Sequence, residues 1–258
     1  MSSNSRGWLH RDGAWIGAEA LPFTDRGVRY GMSVFETIGV REGRALLFEA
    51  HSARLAATAR EMLGIDIDPA LPALDPSDRG MLRLYVTAGD GSPTDPVTKP
   101  RLFALFEPWH DELPDFQTAR LHLQPVAPFA HGAKTGNYWL QCAAQSAARA
   151  AGFDHALLAD RDGHLLSGAM GNVFFVYEGQ LCTPSSGLSV RPGVMREWVM
   201  AQEKVQEVRF KALDLDKIGE IFLTNSRLGV MPLQFGRLTP GTSGCALRDR
   251  CRREKIIP

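Results

Sequence analysis

Lys134 is the side chain in this sequence whose surroundings best suit covalent chemistry. It stands between a predicted strand and a predicted helix, among apolar, small and aromatic neighbours. Partial desolvation lowers the pKa of a lysine and makes its amine a nucleophile able to form a Schiff base. On spacing alone, however, a surface lysine at the start of a helix is the commoner interpretation. The chain has only six lysines, at Lys99, Lys134, Lys204, Lys211, Lys217 and Lys255.

The elements that must position Lys134 begin with a predicted α+β unit. Asp12-Gly13 has the composition of a hairpin turn, and Gly64 is a helix stop signal. The polar, glycine-rich segment 25–31 is predicted to be a loop. The predicted elements are a hairpin over 7–18, strands over 34–40, 81–87 and 102–106, and a helix over 49–63.

A polar, proline-containing stretch then divides the chain. We predict a smaller N-terminal α+β domain over 1–108, a linker over 109–117 and a larger domain over 118–258 that carries Lys134. Since strands are many and helices scattered, the fold class is α+β rather than a regular βαβ series. The elements predicted in the larger domain are strands over 120–126, 156–159, 173–177 and 221–224, and helices over 137–151 and 194–202.

Composition excludes several classes of protein. The 258 residues carry a formal net charge of zero, which argues against a general nucleic-acid or membrane-surface binder. The basic end, which contains Arg248, is expected to be a solvated surface. No apolar run suits a membrane span or a signal peptide, so a cytoplasmic location is expected. The four cysteines form no CxxC pair, so we predict no metal site and no disulfide.

Six short motifs follow one another in a specific order. Together they resemble the class IV pyridoxal-phosphate enzymes, a family that includes branched-chain aminotransferases, D-amino acid aminotransferases and 4-amino-4-deoxychorismate lyases. The resemblance covers about residues 8–237 and implies two α+β domains of fold type IV, with the cofactor in the cleft between them. The motifs are Tyr30–Thr37, Phe48–Leu55, Lys134–Tyr138, Ser167–Phe174, Arg191–Arg196 and Phe222–Pro232.

The resemblance implies roles for the cofactor-binding residues. Lys134 matches the lysine that forms the Schiff base with pyridoxal phosphate and moves the proton at the substrate Cα. Arg54 matches a phosphate-binding arginine, and His51 lies three residues earlier on the same side of the helix. The remaining phosphate ligands are the backbone at the start of a helix and a polar turn. Those residues are Gly193, Val194, Met195, Asn225 and Ser226.

Other positions are less closely defined by the family. Tyr138 matches a tyrosine near the phenolic oxygen of the cofactor, although a core aromatic on a helix is an equal alternative. Tyr30, Phe35 and Arg83 match positions that line the substrate pocket in some relatives. Because Arg83 lies in a predicted strand, it is equally compatible with an outward-facing structural role.

Ser167 departs from the family pattern. The family has a glutamate there, which pairs with the pyridine nitrogen and keeps it protonated. A serine can hydrogen-bond that nitrogen but supplies no negative charge, so we expect cofactor binding to persist and transamination to slow. A different acid that takes this role is an alternative, and the nearest acids in sequence are Asp160, Asp162 and Glu178.

Three functions remain open on this evidence. The first is an aminotransferase that uses a small amino acid and a 2-oxo acid. The second is a 4-amino-4-deoxychorismate lyase that eliminates pyruvate to give 4-aminobenzoate. The third is a weak or non-catalytic pyridoxal-phosphate binder, suggested only by Ser167. The family also implies a homodimer.

Overall fold

The N-terminal part of the chain builds a six-stranded antiparallel sheet with helix α2 packed on one face. A computed structural model of the chain describes residues 5–109, 111–122, 132–188 and 190–258. The strand order is β2-β1-β6-β5-β3-β4. The elements of this sheet and its helices are β1 (Arg6–Arg11), β2 (Ala14–Gly17), α1 (Arg26–Tyr30), β3 (Ser33–Arg41), β4 (Arg44–Ala45), α2 (Phe48–Leu63), β5 (Gly80–Thr87) and β6 (Arg101–Pro108).

Alternation along the strands decides which face of this sheet is buried. In β3, Val34, Ile38 and Val40 point to one face, where they pack with Leu55 of α2. Every second residue of a strand faces the same side, so the intervening residues line the opposite face. Burial of each large apolar side chain contributes about 1.5–3 kcal/mol, which holds α2 against the sheet. Helix α2 ends at Gly64 in the left-handed conformation, as predicted.

The second part of the chain builds an eight-stranded mixed sheet. Its order is β12-β11-β10-β13-β14-β7-β8-β9, with parallel pairs β11–β12, β14–β7 and β7–β8. The strands are β7 (Gln117–His122), β8 (His155–Ala159), β9 (Leu165–Gly168), β10 (Asn172–Tyr177), β11 (Gln180–Pro184), β12 (Val205–Val208), β13 (Glu220–Asn225) and β14 (Gly229–Gln234).

Three helices accompany this sheet, and a large apolar core fills one of its faces. Helix α3 packs on β8, α4 contacts β13, and α5 lies against β13 and β14. Core residues from β8, β10 and β13 include Leu157, Phe175 and Leu223. The helices are α3 (Trp139–Ala150), α4 (Val194–Gln202) and α5 (Thr242–Arg253).

The chain passes between two compact units more than once. The first unit comprises residues Met1–Asp111, Ala133–Asn137 and Ile256–Pro258, and the second comprises Glu112–Gly132 and Tyr138–Lys255. Two sheets, each with its own helices, confirm the prediction of a protein with mixed α and β structure. No helix in the described ranges is both long and apolar enough to cross a membrane.

Two sequence predictions are wrong. Segment 25–31 contains helix α1, which Asp25 caps by accepting the N–H of Gly27 at 2.7 Å and which Gly31 ends in the left-handed conformation. The basic end is also not solvated throughout, because it forms helix α5 and buries Arg248, whereas Arg252, Arg253 and Lys255 are exposed as expected. In addition, β9 lies between the predicted strands 156–159 and 173–177. Residues 123–126 of the predicted strand 120–126 lie outside the described residues.

Candidate active site

Lys134 lies on a short extended segment that pairs with the first half of β3. The carbonyl oxygen of Lys134 accepts a hydrogen bond from the N–H of Phe35 at 2.9 Å. The N–H of Gly136 donates to the carbonyl of Ser33 at 2.8 Å. Strand β4 pairs with β3 at Val40 and Arg41, so the edge of β3 near Phe35 is available to the segment that carries Lys134. The backbone therefore fixes the position from which the Lys134 side chain extends.

The amine of Lys134 is placed over an aromatic surface. Its Nζ lies 4.4 Å from the centre of the Phe35 ring. Phe35 stacks on Tyr85 with ring centres 5.0 Å apart, and Tyr85 stacks on Phe103 at 4.5 Å. Burial raises the pKa of Tyr85, with a smaller opposing contribution from the charge of Arg83. A row of three rings across β3, β5 and β6 thus offers apolar contact beside the amine of Lys134.

A buried carboxylate organises the opposite face of β3. Glu36 accepts two hydrogen bonds from Arg54, from Nε at 2.7 Å and from Nη2 at 2.6 Å, and lies 2.8 Å from Nδ1 of His51. Burial by itself would raise the pKa of Glu36. The hydrogen bonds from His51 and Arg54, together with the positive charge of Arg54, outweigh burial and hold the pKa at about 2. Glu36 is therefore an anion that fixes the guanidinium plane of Arg54.

His51 is held in its neutral form by the same surroundings. Burial lowers its pKa, the hydrogen bond to Glu36 acts in the opposite direction, and the charges of Arg54 and Lys134 add smaller lowering effects. The effect of Lys134 on His51 shows that both groups belong to one electrostatic neighbourhood in this unit. Sequence reasoning placed His51 and Arg54 on one side of α2, and both contact Glu36, which the sequence did not identify as a partner.

The remaining substrate candidates lie in the same unit. Arg83 forms an ion pair with Glu107 on the neighbouring strand β6, and both side chains are partly exposed. Tyr30 is at the end of α1, where it is 40% exposed and the guanidinium of Arg29 lies 4.8 Å from its ring centre. Arg83 accordingly has a structural partner, in keeping with one of the two alternatives for this residue.

In the second unit, α4 begins without a side-chain cap. Gly193 is its N-cap residue and, having no side chain, makes no side-chain hydrogen bond to the first turn. The side chains of Val194 and Met195 are buried, so this turn presents its backbone N–H groups. A Cβ atom on Gly193 would lie 2.0 Å from Oδ1 of Asn172. The close approach of Asn172 requires glycine here.

Polar side chains on β10 and β13 adjoin this helix start. Asn172 pairs in register with Thr224, so both side chains share one face of the sheet. The Thr224 hydroxyl is buried and has no hydrogen-bond partner within the described part of the chain. Asn225 donates to the carbonyl of Met170 at 3.0 Å, and its Oδ1 accepts the N–H of Leu228 at 2.8 Å. Asn225 thereby shapes the turn that carries Ser226.

Tyr138 and Arg191 form a polar pair in this unit. The guanidinium of Arg191 donates to the Tyr138 hydroxyl at 3.0 Å, and its carbon lies 5.9 Å from the centre of the ring. The carbonyl of Arg191 accepts a hydrogen bond from Asn172 Nδ2 at 2.8 Å. Tyr138 precedes α3, and Arg191 precedes Gly193 by two residues.

Ser167 lies on β9, paired with Leu158, and is partly buried. Of the acids nearest in sequence, Asp160 and Asp162 lie in the turn between β8 and β9, and Glu178 lies between β10 and β11. Asp160 accepts hydrogen bonds from the backbone and ring of His164, at 2.7 and 3.0 Å. Burial raises the pKa of Asp160, but these hydrogen bonds outweigh it and lower the pKa overall. Asp160, Asp162 and His164 bring their potential ligand atoms within 4.8 Å of one another. They are hydrogen-bonded turn residues.

The structure thus brings the predicted residues together in two sets. In the first unit, Lys134 lies against Phe35 and acts electrostatically on the helix that carries Arg54. In the second unit, Gly193 adjoins Asn172, whose register partner Thr224 precedes Asn225 and Ser226. Sequence reasoning did not select Glu36, Asn172, Arg191 or Thr224. All four lie within the six motifs, and their place in those motifs is the sequence feature that could have identified them.

The second set has the properties of a phosphate site. An uncapped helix start offers N–H donors and a positive dipole end. The buried Thr224 hydroxyl supplies a polar group that has no hydrogen-bond partner within the described part of the chain. These observations fit the phosphate of pyridoxal phosphate. The contact of Lys134 Nζ with the Phe35 ring fits the formation of a Schiff base at this amine.

Comparison with known proteins identifies the family of the chain. The model of the amino-transferase class IV family matches residues 33–234. A protein of Methanocaldococcus jannaschii, provisionally named a branched-chain-amino-acid aminotransferase, is 30% identical over 231 residues. That match covers 81% of this chain and 80% of the relative.

Two further similarities cover most of the chain. An aminodeoxychorismate lyase of Vibrio harveyi is 26% identical over 234 residues, which is 83% of this chain and 86% of the relative. The solved PLP-bound form of a hypothetical aminotransferase from Mycobacterium tuberculosis has a TM-score of 0.78 at 23% identity. It covers 98% of this chain and 99% of that chain, and shows a shared fold.

Proposed function

The chain belongs to the class IV aminotransferase family, whose members are enzymes dependent on pyridoxal phosphate, and we propose that it moves an amino group between a small amino acid and a 2-oxo acid. The observation that carries the proposal is the position of Lys134, fixed by backbone bonds to β3 with its amine over Phe35. An amine held in apolar contact is suited to covalent attachment of an aldehyde and to proton transfer.

Each of the other residues has a physical role in this proposal. Pyridoxal phosphate, when bound, supplies the electron-accepting ring that allows the Cα–H bond of an amino acid to ionise. Lys134 holds the cofactor and moves the proton at the substrate Cα. Arg54, fixed by Glu36, binds the phosphate, as do the N–H groups at the start of α4 and Ser226.

The row of rings indicates what kind of side chain the substrate carries. Phe35, Tyr85 and Phe103 form a stacked apolar surface beside Lys134. Arg83, on the same face of β5 as Tyr85, is ion-paired with Glu107. A substrate that extends over this surface meets aromatic carbon first and a neutralised charge pair beyond it, so we propose an amino acid with an apolar side chain.

A second candidate is elimination of pyruvate from 4-amino-4-deoxychorismate. The observation that favours it is the similarity to the Vibrio harveyi lyase, which extends over most of both chains. Both reactions begin with removal of the Cα proton by Lys134.

The test is an absorbance spectrum of the purified protein with pyridoxal phosphate. We expect a visible band that Lys134→Ala loses and that Lys204→Ala, a change at an exposed lysine, retains. Addition of an apolar amino acid should then convert the band to that of pyridoxamine phosphate. If the band persists while 4-amino-4-deoxychorismate yields pyruvate, the lyase is correct. If the band forms and no substrate is turned over, the protein is a binder. Absence of the band in the wild type contradicts the proposal.

A further inference from the structure

Arg191 is a charged residue that neither the motif resemblance nor the proposed reaction gives a role. Its guanidinium donates a hydrogen bond to the Tyr138 hydroxyl at 3.0 Å, and its carbon lies 5.9 Å from the ring centre. A guanidinium remains charged at all physiological pH values. The Tyr138 hydroxyl therefore lies at hydrogen-bond distance from a permanent positive charge on Arg191.

The backbone of Arg191 is fixed by the same residues that shape the start of α4. Asn172 Nδ2 donates to the carbonyl of Arg191 at 2.8 Å, while Asn172 Oδ1 occupies the space that a side chain at Gly193 would need. Pro192 restricts the backbone between them. The side chain of Asn172 thus contacts both Arg191 and Gly193. Through Arg191, the Tyr138 hydroxyl is connected by hydrogen bonds to the start of α4.

Resting on the proposed function, we propose that Arg191 is a positioning residue: it orients the Tyr138 hydroxyl toward the phenolic oxygen of bound pyridoxal phosphate and places a positive charge beside that oxygen. The charge matters because of Ser167. Bound pyridoxal phosphate would take up the negative charge left at the substrate Cα when its proton is removed. Since Ser167 would supply no anion to keep the pyridine nitrogen protonated, the cation of Arg191 near the phenolic oxygen would help to stabilise that charge.

The experiment separates the charge of Arg191 from its hydrogen-bond donors. Arg191→Lys keeps the charge, Arg191→Gln keeps donors without charge, and Arg191→Leu keeps neither. Pyridoxal phosphate is titrated into each apoprotein, with affinity followed by tryptophan fluorescence, and the visible band is then recorded as a function of pH. A nearby cation favours loss of the proton from the Lys134 nitrogen that holds the cofactor. Its removal should raise the pH midpoint of the band by about one unit.

We expect Arg191→Leu and Arg191→Gln to raise the midpoint and Arg191→Lys to stay near the wild type. Arg191→Leu should also weaken cofactor affinity by about tenfold. In a Tyr138→Phe background, Arg191→Leu should have a smaller effect, because the two residues act as one unit. Arg120→Leu is the matched control, since Arg120 is exposed and lies over the ring of Phe153 at 5.6 Å. It should change neither quantity.

Two outcomes overturn the inference. One is an Arg191→Leu variant with wild-type midpoint and affinity. The other is an equal shift of the midpoint in the Lys and Gln variants, which would show that charge plays no part. A wild type without a band that depends on Lys134 is a different result, because it removes the proposed function and this inference with it.

Discussion

At the scale of single residues, Glu36 determines how Arg54 is presented. The carboxylate is almost fully buried and contacts both Arg54 and His51. Removing the charge from one partner of a buried ion pair leaves the other charge uncompensated, which is more costly than losing an exposed pair. The phosphate-binding role proposed for Arg54 therefore depends on a residue that faces away from the aromatic surface beside Lys134.

We predict that Glu36→Gln lowers the free energy of unfolding by about 3 kcal/mol, since a pKa of about 2 instead of 4.5 corresponds to that stabilisation of the anion. It should also weaken binding of pyridoxal phosphate, because Arg54 loses a bidentate partner. Urea unfolding and a fluorescence titration measure the two effects. Glu42→Gln is the control, since Glu42 is exposed and its closest ion pair is 3.8 Å long. It should change stability by less than about 0.5 kcal/mol.

Ser167 is the other residue with a distinct consequence. It is partly buried on β9, and the neighbouring Asp160 is hydrogen-bonded to His164. We predict that Ser167→Glu accelerates the half-reaction with an apolar amino acid by about tenfold or more, because a carboxylate would keep the pyridine nitrogen protonated. Stopped-flow absorbance measures the rate. Ser167→Gln, which adds volume without charge, should give no acceleration; a gain in both variants would refute the electrostatic explanation.

At the scale of elements, the start of α4 depends on the absence of a side chain. A Cβ on Gly193 would lie 2.0 Å from Asn172 Oδ1. We predict that Gly193→Ala weakens binding of pyridoxal phosphate at least tenfold, because Asn172 must move and the first turn of α4 shifts with it. Gly219→Ala should bind normally, since the nearest atom to its Cβ is 4.0 Å away. Equal affinities for the two variants would disprove a close approach at Gly193.

Helix α5 is attached through Arg248. This buried guanidinium donates to the carbonyl oxygens of Leu113, Pro114 and Asp115, at 3.3 Å in the case of Leu113. We predict that Arg248→Met destabilises the protein by about 2–4 kcal/mol, because three carbonyls lose their donor. Arg252→Met on the same helix, where the ion pairs are 3.7 Å long, should cost less than about 0.5 kcal/mol. Denaturant midpoints compare the two.

These elements also show which parts of the structure can be predicted from sequence. The bounds of α4 agree with prediction, because Pro192 and Gly193 are local signals. Helix α1 was missed, because it depends on residues far along the chain. Asp25 also accepts hydrogen bonds from Thr87 and Arg101.

The candidate site shows the same division between local and distant information. Motif order singled out Lys134, which lies on a segment paired with β3, and Gly193, which lies at the start of α4. It did not reveal that Arg248 has its partners about 135 residues earlier, so the basic run predicts a solvated end although this arginine is buried. The pairing of Arg191 with Tyr138, 53 residues apart, was equally invisible, because tertiary contacts leave no mark on the spacing of either motif.

At the scale of the whole molecule, buried histidines make stability depend on pH. His155 is buried beside Gln117, with Nε2 and the amide oxygen 2.8 Å apart. Burial lowers its pKa from 6.5 to about 4, with opposing and reinforcing contributions from Asp154 and Arg149. The unfolded chain therefore binds the proton first as the pH falls, so this contribution to stability is complete above pH 6.5 and is lost toward pH 4.

We predict that the free energy of unfolding decreases by about 3 kcal/mol between neutral pH and about pH 4 on account of His155. His155→Gln should remove that part of the slope whatever its effect on stability at neutral pH. Urea unfolding at a series of pH values provides the measurement. His10→Gln, a change on β1, should leave the slope intact, and an unchanged slope in His155→Gln would refute the assignment.

The path of the chain has a consequence for how such a protein can be recombined. Residues 133–137 belong with the first unit, although the residues on either side of them belong with the second. A chimaera made by exchanging residues up to 111 with a homologue would bring in a new β3. The segment 133–137, which pairs with the edge of β3, would still come from the original protein. Breakpoints that respect the backbone bonds at Phe35 and Gly136 must come in pairs. An exchange of the first unit must therefore include the segment that carries Lys134, and a single breakpoint cannot exchange the two units as separate modules.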